Sequence, residues 1–191
     1  FSSKEPVSDE SDFPDHAVDW EGFTRRAAQI MGELTHPVKI GRYVNYQAPW
    51  TSPNIIAQAS LGLVFSHCVL EYVDQLSEIY RTMYSWLRAG GYGSHHIALS
   101  ATNFSPYWNG HWAYTDWQWK LARGHREFLL NREPLSRHLA YAKKAGFEIL
   151  CVKPEYEYGG LKVNELSPRF QSLHAEDLRT IRATLILRKP S

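Results

Sequence analysis

Apolar residues recur at spacings of three and four from Val18 to Leu34, where Trp20, Phe23, Ala27, Ile30, Met31 and Leu34 share one face. That spacing predicts a helix. His36-Pro37 ends it, because the residue before a proline is pushed out of helical conformation. Arg42 to Tyr46 is short and β-like, and Pro49 and Pro53 make the stretch from Ala48 to Pro53 a loop. The pattern changes at Leu61. Leu61, Leu63, Val64 and Phe65 form a near-continuous apolar run, which predicts a strand buried on both faces of a parallel sheet. Ser66-His67 is its first polar break. Asp74 is then placed to cap a helix with Leu76, Ile79, Tyr80, Met83, Trp86 and Leu87 on its apolar face. Gly90-Gly91 closes that helix through a left-handed C-cap, and Tyr92 to Ser100 reads as the next strand. Strand, helix, glycine stop and strand make one βαβ unit with a right-handed crossover.

Thr115 and Gln118 have capping-box spacing, which predicts a short helix to about Arg123. Ser136 caps a helix carrying Leu139, Ala142 and Ala145, stopped at Gly146. Phe147 to Val152 follows as a strand, Pro154 to Gly160 as a bend, and Thr180 to Leu187 as a closing strand. Residues 1–17, rich in Ser, Asp, Glu and Pro, read as a mobile lead-in. No repeat, low-complexity tract or linker divides the remainder. Residues 18–191 are expected to form a single domain with an aromatic insert over 103–134.

Composition narrows the function classes. Hydrophobic residues are 43% and charged residues 21% of the 191, as in an ordinary globular protein. A formal net charge of +1 provides no field for nucleic acid or a membrane surface, and neither is expected as a partner. No apolar stretch has the length of a membrane span, and no basic-then-apolar leader precedes a cleavage site. Cys68 and Cys151 sit in apolar runs without metal or redox spacing, which suits buried thiols in a reduced, cytoplasmic protein. Aromatic residues are 14% of the chain and crowd between Phe104 and Trp119, hinting at a binding surface.

Over about forty residues from Leu61 to Ser100 the pattern becomes specific. It resembles class I S-adenosylmethionine-dependent methyltransferases, in the branch whose fourth strand ends in Ser-His, followed by Val-Leu-Glu-His-Val and a helix ending in Leu-Arg-Pro-Gly-Gly. This chain has Ser66-His67, Val69-Leu70-Glu71-Tyr72-Val73 and Leu87-Arg88-Ala89-Gly90-Gly91 in register. The resemblance implies an α/β fold: an incomplete Rossmann-like sheet, mostly parallel with an antiparallel C-terminal strand, and helices on both faces. It also implies S-adenosylmethionine as cofactor, lying across the carboxyl ends of the strands at the topological switch point. Ser66 and His67 would border its methionine part, and Gln47 and Ala48 its adenine.

The chain departs from that family in ways that bear on chemistry. Before Leu61 no strand, G-x-G turn and helix occur in sequence, so Phe1 aligns just after the family's second strand. The Leu61 strand would then have an unpaired edge, which a missing segment or another subunit must occupy. Gly62, Tyr72, Ala98 and Ala101 stand where the family often has Asp, His and acidic residues. The preferred expectation is nonetheless methyl transfer to an oxygen or nitrogen of a small-molecule acceptor (a sugar, polyketide or other metabolite). His67 or His96 would be the base, since imidazole titrates near neutrality. Asn103, Trp108, His111 and Tyr114 of the insert would wall the acceptor. The competing expectation is a catalytically silent, methyltransferase-like scaffold. His95 and His96 are expected on opposite faces of their strand, where either could be a satisfied core histidine or enter the pocket. No metal site is expected from His67, His95, His96 and His111, whose spacing matches no recognised ligand set.

Overall fold

The structure, a computed structural model, describes residues 19–34, 53–101, 105–126 and 128–191. The expected lead-in at 1–17, the β-like stretch at 42–46, and the residues Gln47, Ala48 and Asn103 lie outside the described residues. The chain falls into two compact units, residues 1–52 and 53–191.

In the first unit the predicted helix is present as α1 (Trp20–Leu34). Asp19 caps it, its carboxylate accepting the Gly22 N–H at 2.9 Å. Trp20 and Phe23 meet edge to face at 5.9 Å.

The second unit contains β1 (Leu61–His67), α2 (Leu76–Trp86), β2 (Leu87–Ala98), α3 (Asp116–Arg123), α4 (Leu135–Ala145), β3 (Glu148–Tyr156) and β4 (Thr180–Arg188). The sheet order is β1-β2-β4-β3. β1 and β2 are parallel, and β4 runs antiparallel to both β2 and β3. Three strands therefore point one way and the C-terminal strand opposes them, in an open, incomplete Rossmann-like sheet flanked by helices. Both crossovers step in the same direction across this order, so right-handedness places α2 and α4 on one side. There Tyr80, Met83 and Trp86 of α2 and Ala142 of α4 pack on Leu87, Ile97, Ala183, Leu185 and Leu187 in one buried cluster. The period-two alternation of β2 sorts its side chains: Gly91, Gly93, His95 and Ile97 are buried, while Tyr92, Ser94, His96 and Ala98 keep partial exposure.

Several local expectations are corrected. β1 is not buried on both faces: Leu63 is 57% and Phe65 66% exposed. It is an edge strand among the described residues, and a continuous apolar run does not distinguish edge from centre. Asp74 does not cap α2. Gln75 holds that position without a side-chain cap, because the Asp74 carboxylate accepts two hydrogen bonds from the Arg123 guanidinium at 2.6 and 2.8 Å. Gly90-Gly91 does not close α2, which passes into β2 at Leu87 in extended conformation. Gly90 is left-handed (φ +72°), but it lies within β2, where the register with β1 slips between Leu61 and Leu63. Pro134, not Ser136, occupies the N-cap of α4, and the Ser136 N–H donates to Asp177 Oδ1 at 2.9 Å. Pro154 continues β3 rather than bending it, as an edge strand allows. The Thr115–Gln118 capping box, the Gly146 stop and the closing strand stand as expected.

Gly146 supplies a prediction. It ends α4 at φ +103°, and a Cβ there would lie 3.0 Å from the Tyr84 ring. Left-handed conformation costs an L-residue about 1–2 kcal/mol before any crowding. We expect Gly146→Ala to destabilise by about 2 kcal/mol and lower the melting temperature by about 4–8 °C in calorimetry. An unchanged transition would contradict the αL assignment.

Candidate functional site

The chemistry-bearing residues gather at the carboxyl ends of β1 and β2, where an open α/β sheet binds its ligands. Parallel register pairs His67 with His96 directly. Their rings stack at 4.8 Å with planes 12° apart. His67 is exposed and His96 half-buried. On the other side of His96, β4 presents Thr184 as its register partner, and Thr184 Oγ1 lies 3.0 Å from His96 Nδ1. Cys68 follows His67 in left-handed conformation (φ +52°), its N–H donating to the His96 carbonyl at 2.9 Å. A non-glycine residue held there stores roughly 1–3 kcal/mol. Cys68 is exposed, against the expected burial, because it lies just past the end of an edge strand.

A short 3-10 turn at Leu70–Tyr72 carries Glu71 beneath this group, and Glu71 is only 3% exposed. Asn131 fastens the turn, its side-chain amide donating to the carbonyls of Leu70 and Val73 at 2.8 Å each. Burial pushes the Glu71 carboxyl up, against the backbone N–H groups of Glu71 and Ala98, nearby His67 and the Cys68 thiol. Burial first, then Glu71, pushes the Cys68 thiol up, so Cys68 is not an activated nucleophile. Behind Glu71 a cavity of about 10 Å³ is lined by Ala98, Leu99, His111 and residues 130–133. A separate cleft of about 520 Å³ lies between the start of α4 and residues 169–177, lined by Arg137, Arg169, His174 and Asp177 among others.

The other expected site residues are placed differently. Ser66 faces the helix-covered side, its Oγ 2.8 Å from His95 Nδ1. His95 is fully buried and burial lowers it to about 4, in keeping with a core histidine. Trp108 donates its indole N–H to the Gly159 carbonyl at 2.8 Å and meets Trp112 edge to face. His111 is 2% exposed, and burial with neighbouring Arg132 lowers it to about 3, leaving a poor proton acceptor. Tyr114 packs against Trp119 at 5.7 Å. The structure thus brings His67 and His96 together and puts Trp108, His111 and Tyr114 into packing of the insert.

Sequence reasoning missed Cys68, Glu71 and Thr184 at this site. Cys68 and Glu71 sit beside the motif that drew attention to His67. Thr184 is 88 residues from His96 and carries no local signal. Arg132 is 5% exposed, its guanidinium 5.1 Å over Trp119 and 5.2 Å over Phe170 and paired with Asp116.

No protein-family model matches the chain, and no curated protein matches it. Solved structures do. A Listeria monocytogenes protein assigned as an S-adenosylmethionine-dependent methyltransferase aligns at 15% identity and a TM-score of 0.50, over 85% of this chain and 76% of its own. The [4+2]-cyclase SpnF aligns at 14% identity and 0.49, over 86% and 61%. An S-adenosylmethionine-dependent methyltransferase from Mesorhizobium loti aligns at 18% identity and 0.44, over 70% of this chain. This chain spans 63% of the length of that protein. The likeness is one of fold alone: this open, mixed sheet with its flanking helices aligns with the Listeria monocytogenes protein. Among the described residues no helix is long and apolar enough to cross a membrane.

Proposed function

We propose that the protein transfers a methyl group from S-adenosylmethionine to a hydroxyl or amine of a small-molecule acceptor. The observation that carries this reading is the pairing of His67 with His96 at the carboxyl ends of two parallel strands of an open, mixed sheet. Methyl transfer is an in-line displacement that needs positioning, and a base when the nucleophile is a hydroxyl. His96, held by Thr184, is the positioned base, and His67 borders the cofactor. The Ser66 hydroxyl is engaged by His95, so Ser66 would meet the cofactor through its backbone. Gln47 and Ala48 would lie near the adenine. Asn103, Trp108, His111 and Tyr114 would shape the acceptor wall, the last three as rigid packing.

A second reading, a silent scaffold, is favoured by the exposed apolar side chains of Leu63, Phe65 and Tyr92 on β1 and β2, a surface suited to a protein partner. Calorimetry with S-adenosylhomocysteine on the full-length natural protein separates the two. Saturable one-to-one binding is expected, with His96→Ala leaving it intact while transfer slows by about 10²–10⁴-fold. Absence of binding overturns the enzyme.

A further inference from the structure

We propose that His67, Cys68 and His96 form an open-coordination site for a zinc-class divalent ion. Their ligand atoms all lie within 4.8 Å of one another. Around tetrahedral zinc, nitrogen and sulfur ligands stand about 3.3–3.6 Å apart. The remaining closure of roughly 1 Å is within reach of side-chain rotation, since His67 and Cys68 are exposed and His96 alone is partly enclosed. Two imidazoles and a thiol are a borderline-soft set that selects zinc over magnesium or calcium, which take oxygen ligands.

The fixed member is His96. Thr184 Oγ1 engages its Nδ1 at 3.0 Å, orienting the ring and leaving Nε2 to the ion, as outer-shell partners do at histidine metal sites. The backbone holds the other two in place. His67 is the direct register partner of His96, and the Cys68 N–H is tied to the His96 carbonyl at 2.9 Å. Glu71 lies within reach of the Cys68 thiol from beneath. Three protein ligands on an exposed strand end leave a fourth position open, which suits water or a hydroxyl or thiol of a bound molecule. This inference does not rest on methyl transfer, because the site needs no cofactor; a bound ion would occupy His96 Nε2 and so exclude that nitrogen from acting as a base while the site is filled.

The test is titration of chelator-treated full chain with zinc chloride, and separately with cobalt(II) chloride. One zinc per chain is expected, with micromolar or tighter affinity. Cobalt should give a thiolate charge-transfer band with tetrahedral d–d absorption. Cys68→Ser should abolish that band, and His96→Ala should weaken binding at least about 100-fold, both with unchanged circular dichroism. Thr184→Val should weaken it by about 10-fold. The exposed His174, replaced by Ala, should change nothing. Binding that survives Cys68→Ser and His96→Ala, or stoichiometric copper binding with zinc silent, overturns the assignment.

Discussion

Acidification from pH 7 to about pH 4–5 is expected to unfold the unit spanning residues 53–191. The cause is a set of imidazoles folded in their neutral form. His138 is wholly buried beneath the sheet, its Nδ1 3.1 Å from the Tyr80 hydroxyl, and burial with nearby His95 lowers it to about 3. His111 is lowered to about 3 and His95 to about 4, in both cases chiefly by burial. The ordinary value, 6.5, applies once the chain is unfolded. Below pH 6.5 the unfolded state therefore takes up protons that the folded state refuses. Stability is complete above that value and falls as the pH drops towards the folded values. Each group contributes about 1.4 kcal/mol per pH unit, so three contribute about 4. Over two units that approaches the whole stability of a typical domain, about 5–15 kcal/mol. Glu71 acts in the opposite sense, since burial raises its carboxyl, but it is one group against three. Urea unfolding between pH 7 and 5 should show the midpoint falling steeply. His138→Gln should reduce that slope by about a third. A midpoint independent of pH would mean that these rings are not buried neutral.

The second large effect concerns the aromatic insert. Trp112→Ala should cost about 3–5 kcal/mol and open the insert selectively. Trp112 is 1% exposed and lies at the centre of a cluster with Leu166 and Phe170, bordered by Trp108, Leu161, Leu173 and Leu178. Its ring stacks on Phe170 at 5.8 Å, and its indole N–H donates to the Arg132 carbonyl at 3.0 Å. Removing it leaves that carbonyl unpaired and deprives the guanidiniums on Phe170 of a firm platform. The helix-covered sheet core is a separate cluster and loses nothing directly. Amide hydrogen exchange should therefore quicken across residues 105–126, 128–133 and 159–178 while the β2–β4 ladder stays protected. Trp112→Phe keeps the stacking and loses only the indole hydrogen bond, at about 1–1.5 kcal/mol. Uniform deprotection of the whole unit would show that the insert and the sheet core unfold together.

The two effects differ in legibility. The helix and strand order could be read from periodicity: the faces of α1 and α2, the capping box at Thr115, the stop at Gly146 and the apolar run Leu185-Ile186-Leu187 of β4 are patterns within one element. Candidate chemistry was legible only where it adjoined a motif, as at Ser66-His67. Whether His95 or His96 faced the core was left open by alternation alone, since period two separates neighbours without naming the covered side.

What the chain itself determined is therefore the local order, because capping, glycine stops and amphipathic spacing act over a few residues. Tertiary structure decided the rest. Sheet register, joining residues 29 positions apart on adjacent strands and 88 apart across the β2–β4 pair, set His96 between His67 and Thr184. Packing decided that Arg132 is buried and that Leu63 and Phe65 are not. Burial and pairing depend on what arrives from elsewhere in the fold, and no window of neighbouring residues contains that information.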